Sequence, residues 1–324
     1  MLTRRDVLKA GVAAGVSGLV GRSVAVEAVA PQPKTKVSFD VPAGGCDCHV
    51  HVFGDPKKYP FFSGRVYTPE TASVEELRKL LSSLRLERVV VVQPSVYGTD
   101  NSCTLDGMRA LGSIARGVAV IDEKTTDAAL DGMGKVGVRG IRLNLATAGI
   151  TDPSVARQRF QNAVGRAKGR GWHIQINTQP SVIDALSDMF QASPVPIVID
   201  HFGGATGAGG VKQPGFGALV SLVKSGKAYV KISGAADSVS KLPDLADATP
   251  LAQALVAANP QRILWGTNWP HPDSNPVPGR KPTDLVTHVQ TDDGKVLNML
   301  PVFVSDAATR RLILVENPAR LYGW

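Results

Sequence analysis

Arg88-Val89-Val90-Val91-Val92-Gln93 is an apolar run between two polar ends, with no alternation of apolar and polar residues inside it. A strand with one face in water alternates, whereas a strand covered on both faces does not. The run therefore reads as a buried strand of a parallel sheet. Working outward, seven more short runs rich in Val and Ile read the same way: Gly45–Val52, Gly117–Ile121, Val138–Leu143, Trp172–Asn177, Pro196–Asp200, Ala228–Ser233 and Arg262–Gly266. Between and after them, stretches of helical period cover Ser73–Leu84, Thr104–Ile114, Asp127–Lys135, Pro153–Arg170, Ser181–Gln191, Phe216–Ser225, Pro250–Ala258 and Ser305–Val315. Eight strands, each followed by a helix, predict a closed (β/α)₈ TIM barrel as a single domain. The rival, an open doubly wound sheet, lacks the Gly-x-Gly-x-x-Gly turn after its first strand.

The chain has 324 residues, 43% hydrophobic and 20% charged, enough for one large core without disulfides or structural metal. A barrel of this kind takes about 250 residues, and the N-terminus accounts for part of the excess. Thr3-Arg4-Arg5-Asp6-Val7-Leu8-Lys9 is a twin-arginine pattern, followed by a small-residue apolar run from Ala10 to Val20 and small residues at Ala28 and Ala30. That run is shorter than the ~20 residues a membrane span needs. Residues 1 to about 30 are expected to be a twin-arginine export signal, with the barrel over 31–324 and the mature protein in the periplasm. No stable membrane association is expected after cleavage. Removing the signal takes away Arg4, Arg5, Lys9, Arg22, Asp6 and Glu27, so the net charge of +8 falls to +6. The remaining basic residues are scattered, which argues against nucleic-acid binding and suits an anionic small substrate. Cys46, Cys48 and Cys103 form no disulfide framework.

After a Pro-rich linker, Pro31 to Pro42, the punctuation is concentrated in two places. The Gly-rich stretch Gly203 to Gly210 lacks the Gly-Lys-Ser/Thr ending of a phosphate loop and reads as a flexible loop. The Pro- and Asp-rich segment from Asn268 to Val304 is long enough to be functional and is expected to lie across the barrel mouth as a lid.

The histidines follow the strands. His49 and His51 end the first, His173 lies in the fifth, His201 follows the sixth and His271 follows the eighth; His288 falls within the expected lid. In a parallel barrel the strand ends meet at one face, so these residues converge there. By strand period, Asp47, His49 and His51 share one face and Cys46, Cys48 and Val50 the other. That puts the histidines inside and the thiols outside, against a Cys/His zinc site. Arg142, in the fourth strand, needs a partner: a substrate carboxylate held bidentately, or a salt bridge to Asp200 or another barrel acid.

Four ordered motifs then carry a resemblance: His-x-His at His49 and His51; Val198-Ile199-Asp200-His201-Phe202-Gly203; Trp265-Gly266-Thr267-Asn268-Trp269-Pro270-His271-Pro272; and the closing Glu316-Asn317-Pro318-Ala319-Arg320-Leu321-Tyr322-Gly323. Together they resemble the amidohydrolase superfamily, in the branch of pyrone-dicarboxylate lactonases, sulfomuconolactone hydrolases, sugar lactonases and galactarolactone isomerase, from Gly45 to Trp324. The loop Gln93 to Asn101 also resembles the lactone-processing members. The resemblance implies that His49, His51 and His201 surround a scissile carbonyl, with Asn268 as a fourth catalytic position. It further implies that Tyr67, Ser95 and Arg142 hold substrate oxygens, with His173, Gln175 and His271 as wall residues.

Metal-dependent relatives carry a carboxylate or modified lysine on the fourth strand and an aspartate closing the eighth. Here Arg142, Asn144 and Asn268 stand in those strands. A divalent ion prefers carboxylate to neutral amide, and a guanidinium repels it, so no cofactor is expected, zinc being the alternative. Asn268 also cannot take a proton near neutral pH. The resemblance therefore implies acyl transfer at the carbonyl of a small carboxylated lactone derived from a sugar acid or an aromatic catabolite. Either isomerisation by a substrate hydroxyl or hydrolysis fits. A zinc-dependent hydrolase or decarboxylase and a weakly catalytic periplasmic binding protein are the other readings.

The twin-arginine reading predicts that replacing Arg4 and Arg5 with lysine traps precursor in the cytoplasm. Cell fractionation checks it, and an unchanged periplasmic yield would remove the signal from this stretch.

Overall fold

The computed structural model describes residues 30–274 and 277–324. Residues 1–29 of the expected export signal lie outside the described residues. Eight strands run in parallel and in chain order: β1 (Cys46–Val50), β2 (Arg88–Val92), β3 (Ala115–Ala119), β4 (Val138–Asn144), β5 (His173–Asn177), β6 (Ile197–Ile199), β7 (Ala228–Ser233) and β8 (Ile263–Gly266). The barrel closes just past β8. The Asn268 amide donates to the His49 carbonyl at 2.9 Å, and the His51 amide donates to the Trp269 carbonyl at 2.8 Å. The two seams of the closure are therefore the two motifs that carry the histidines.

Helices α1 (Val74–Leu84), α2 (Ser102–Leu111), α3 (Asp127–Val136), α4 (Pro153–Ala167), α5 (Pro180–Ala185), α6 (Ser187–Gln191), α7 (Phe216–Lys224) and α8 (Thr249–Ala258) wrap the barrel. α1 shows why these segments are helical. Ser73 and Glu76 form a reciprocal capping box, and Leu77, Leu80, Leu81 and Leu84 bury one face. The single helix expected over Ser181–Gln191 is two short ones that meet at Leu186. The segment after β8 is more ordered than a plain loop. Leu285 and Val286 pair in parallel with Thr68 and Pro69, and α9 (Asp293–Asn298) and α10 (Leu300–Phe303) follow. The chain ends on α11 (Ala307–Arg311), a wide π-type turn over Leu312–Glu316, and α12 (Asn317–Tyr322). Among the described residues, no helix is long and apolar enough to cross a membrane.

Two expectations about side-chain direction are corrected. Cys46 and Cys48 do not face the helices; they pack inside the barrel with Val90, Val92, Val118, Val198, Tyr229 and Leu264. The pairing of β1 with β2 slips between Asp47 and Val50, so strict period-2 reading fails there. The slip turns Val50 outward into the main core and brings His49 to the same interior as the cysteines. All three cysteines are free and buried. The argument against a Cys/His metal site from outward thiols therefore has no basis.

His173 is the second correction. It starts β5 rather than ending it, which at ~3.3 Å per residue sets it roughly 13 Å from the mouth end of that strand. Its ring lies edge-on to Tyr322, 5.2 Å between centroids, at the closed end of the barrel. Burial pushes its pKa down to about 3, so it is neutral. It fills the space left by Gly140, where a Cβ would stand 2.4 Å from His173 Nε2. Gly140→Ala is therefore expected to destabilise the fold by ~1–3 kcal/mol through overpacking. Urea unfolding measures this, and an unchanged midpoint would show that the ring has room to move.

Candidate active site

The mouth is built on one buried carboxylate. Asp200 follows β6 and is fully buried. Its Oδ2 accepts from Gln175 Nε2 at 3.0 Å, while Arg142 Nε approaches Oδ2 to 3.6 Å. Its Oδ1 faces Lys231 Nζ at 3.5 Å and His49 Nδ1 at 3.3 Å. Lys231 in turn donates to Gln175 Oε1 at 2.7 Å. Although burial works against ionisation, the His49 imidazole beside it and the Lys231 ammonium hold the Asp200 carboxyl well below the usual range. Arg142 is anchored a second time by donating to the Gln93 carbonyl at 3.0 Å. Both partners considered for Arg142 thus remain compatible: it pairs with Asp200, and Tyr67 and Ser95 lie against each other beside it.

Above this cluster the three histidine rings gather. His49 is 5.1 Å from His51, nearly perpendicular, and 4.5 Å from His201, centroid to centroid. All three are held in the neutral form by burial, which pushes His51 down to about 3 and His49 well below the ordinary value. His51 Nδ1 lies 2.7 Å from the Val92 carbonyl. A carbonyl only accepts, so Nδ1 carries the hydrogen and Nε2 is bare. His201 Nδ1 sits 3.0 Å from Ser233 Oγ. His201 is thrown inward by a turn in which His201, Phe202, Gly203 and Gly204 all have left-handed φ, from 48° to 74°. A Cβ on Gly204 would meet the Thr178 carbonyl oxygen at 2.5 Å, so glycine is required there.

A second charged group lies behind Asn268. Its Nδ2 donates to Asp237 Oδ2 at 3.0 Å, and His271 Nδ1 reaches the same oxygen at 2.7 Å. His271 Nε2 is 3.1 Å from both oxygens of Asp293. With a carboxylate on each nitrogen, His271 must donate from both and is an imidazolium. Despite burial, Asp237 and Asp293 raise its pKa well above the ordinary value. Both ring nitrogens are thus committed, and His271 braces Asp237 rather than lining the site. Asp237 also fixes the amide of Asn268, leaving Oδ1 as its free end.

The structure therefore brings together His49, His51, His201, Arg142, Gln175 and Asn268, with Tyr67 and Ser95 at the side. It sets His271 behind them and His173 far below. Sequence reasoning missed Lys231, Asp237 and Asp293. Lys231 had a legible signal: a lone charge in Ala228-Tyr229-Val230-Lys231-Ile232-Ser233, in phase with Tyr229 and Ser233. Asp237 had only its place four residues past a strand end.

His49, Asp200 and His201 offer donor atoms within 4.8 Å of one another, a spacing compatible with a metal. Two cations stand beside that group. Lys231 and Arg142 approach Asp200 to 3.5 and 3.6 Å. At an effective dielectric of about 20, a divalent ion about 4 Å from a single ammonium is opposed by on the order of 8 kcal/mol.

Residues 46–324 match the amidohydrolase family. The chain belongs to that family. This amidohydrolase is 34% identical to a 4-sulfomuconolactone hydrolase from Rhizobium radiobacter, over 89% of its own length and 92% of the relative's. It is 32% identical to a 2-pyrone-4,6-dicarboxylate hydrolase from Comamonas testosteroni, over 89% and 93%. It is 28% identical to a D-galactarolactone isomerase from Agrobacterium fabrum, over 87% and 91%. The branch named from the motifs is thus the one its relatives occupy.

The braced imidazolium makes a prediction about pH. Because folding raises the His271 pKa, its stabilisation is complete below the unfolded value near 6.5 and fades as pH rises through the folded value. His271→Gln is expected to cost about 3 kcal/mol at pH 6, leaving the buried Asp293 and the partly exposed Asp237 without their shared cation, with the gap narrowing in alkali. Denaturant unfolding of both proteins across pH checks this; a gap that stays constant would mean that His271 is neutral.

Proposed function

We propose that the chain catalyses acyl transfer at the carbonyl of a small carboxylated lactone, by ring isomerisation or hydrolysis, without a metal. The observation that carries this reading is the set of three neutral, buried histidines beside Arg142, itself paired with Asp200. The activities named for the relatives support the lactone. Arg142, with Tyr67 and Ser95, takes the substrate carboxylate. His49 donates to the lactone oxygen and stabilises the tetrahedral oxyanion. The bare Nε2 of His51 accepts the nucleophile's proton and returns it to the ring oxygen as the acyl C–O bond breaks. Free His51 is a weak base, after burial mainly because of Arg142. A substrate carboxylate on Arg142 offsets that charge, so substrate binding raises the basicity of His51 toward what the step needs.

Asn268 favours isomerisation. Its free Oδ1 can hold a substrate hydroxyl but cannot take its proton, and a tethered hydroxyl outcompetes water by an effective molarity of up to ~10⁵ M or more. The segment from Asn268 to Val304 serves as the lid. Two contacts support this: His271 ties it to Asp237, and His288 stacks on Phe53 at 6.0 Å. Export by residues 1–30 to the periplasm completes the reading.

The test is a panel of carboxylated lactones followed by NMR for ring exchange and by proton release for hydrolysis. Asn268→Asp alone should gain little hydrolysis, because the new carboxylate faces Asp237 and the pair holds a proton between them. Exchanging the two, Asp237→Asn with Asn268→Asp, leaves one carboxylate on the substrate side and should turn exchange into hydrolysis. Fast native hydrolysis, unchanged in Asn268→Ala, would instead make this a plain lactonase. Saturable binding without any turnover would leave a binding protein.

A further inference from the structure

Lys231 has no part in the chemistry above, yet it is fully buried directly beneath the histidines; burial lowers its pKa, and the Asp200 carboxylate acts against that and favours the ammonium. An ammonium has three donors and no acceptor. Three acceptors face it: Gln175 Oε1 at 2.7 Å, His49 Nδ1 at 3.4 Å and Asp200 Oδ1 at 3.5 Å. The contact with His49 has hydrogen-bond alignment. His49 Nδ1 also stands 3.3 Å from Asp200 Oδ1, but that approach lacks hydrogen-bond alignment. A hydrogen on Nδ1 would stand against the Lys231 ammonium, 3.4 Å away. His49 Nε2, on the far side of the ring, is buried and has no partner.

We infer that Lys231 is a positioning residue that fixes the tautomer of His49: by donating to Nδ1 it places the ring hydrogen on Nε2, aimed into the mouth as a donor to the substrate oxygen. His51, 5.1 Å away, is fixed the opposite way by the Val92 carbonyl. Two neighbouring imidazoles thus hold complementary roles, one donor and one acceptor, before substrate arrives. A protonated Nε2 has no lone pair to offer a metal, and the Lys231 ammonium already fills the cation position between His49, Asp200 and Gln175. This inference rests on the proposed lactone chemistry only for the identity of the acceptor.

The test is ¹⁵N-histidine NMR of the native protein, together with Lys231→Met. Native His49 is expected in the Nε2–H form, and zinc titrated by calorimetry should leave that signal unmoved. In Lys231→Met the hydrogen should move to Nδ1, toward Asp200, and kcat on the responsive lactone should fall roughly 10²–10³-fold, as for a lost oxyanion donor. KM should stay within about threefold. A native Nδ1–H form, stoichiometric zinc on native His49, or a folded variant with the native tautomer and kcat would each overturn the inference. The native spectrum decides the tautomer even if the variant does not fold. If no lactone is turned over, the functional reading falls, and the spectrum still judges Lys231.

Discussion

The centre of this barrel depends on how one carboxylate is kept ionised without water. Asp200 is completely buried, and a buried charge is tolerated only when its partners and hydrogen bonds replace its hydration. Lys231, Arg142, Gln175 and His49 come from four other strands or strand ends, and each reaches Asp200 or its immediate partners. The cluster therefore fixes five elements of the barrel relative to one another. It also sets the floor of the mouth, because whatever binds above it meets a surface whose charges are already matched.

That matching explains the division of charge across the site. The floor carries Asp200 with its cations, and the rim carries His271 between Asp237 and Asp293. Between these two layers the imidazoles of His49, His51 and His201 are neutral. Neutral imidazoles can donate from one nitrogen and accept at the other, as moving a proton around a carbonyl requires. A metal placed among them would compete with cations that the fold has already installed.

The backbone bears the cost of this arrangement. His201, Phe202, Asn268 and His271 all have left-handed φ, a conformation that non-glycine residues seldom adopt. All four lie in the two segments that follow β6 and β8. The same β8 segment closes the barrel by its hydrogen bonds to the His49 and His51 backbone. Closure of the sheet and presentation of the side chains are thus one structural event.

By itself the amino-acid sequence determined the barrel, because hydrophobic periodicity is local: an unbroken Val run between helical segments is legible without knowing what covers it. It also determined the rim of histidines, since strand ends converge in any parallel barrel. His173 shows the limit of that rule, because being within a strand does not say at which end. The inward turn of Cys46 and Cys48 escaped notice because a one-residue slip in pairing inverts a period-2 pattern, and the slip is imposed by the neighbouring strand. Lys231, Asp237 and Asp293 belong to the tertiary structure for a related reason. Their roles come from partners 22 to 182 residues away, such as Asp293 with His271 and Lys231 with His49. The sequence named Asn268 as the place where a carboxylate is missing. Only the fold set the Asp237 carboxylate 3.0 Å behind it, because burial and closure bring charges together that the chain keeps apart.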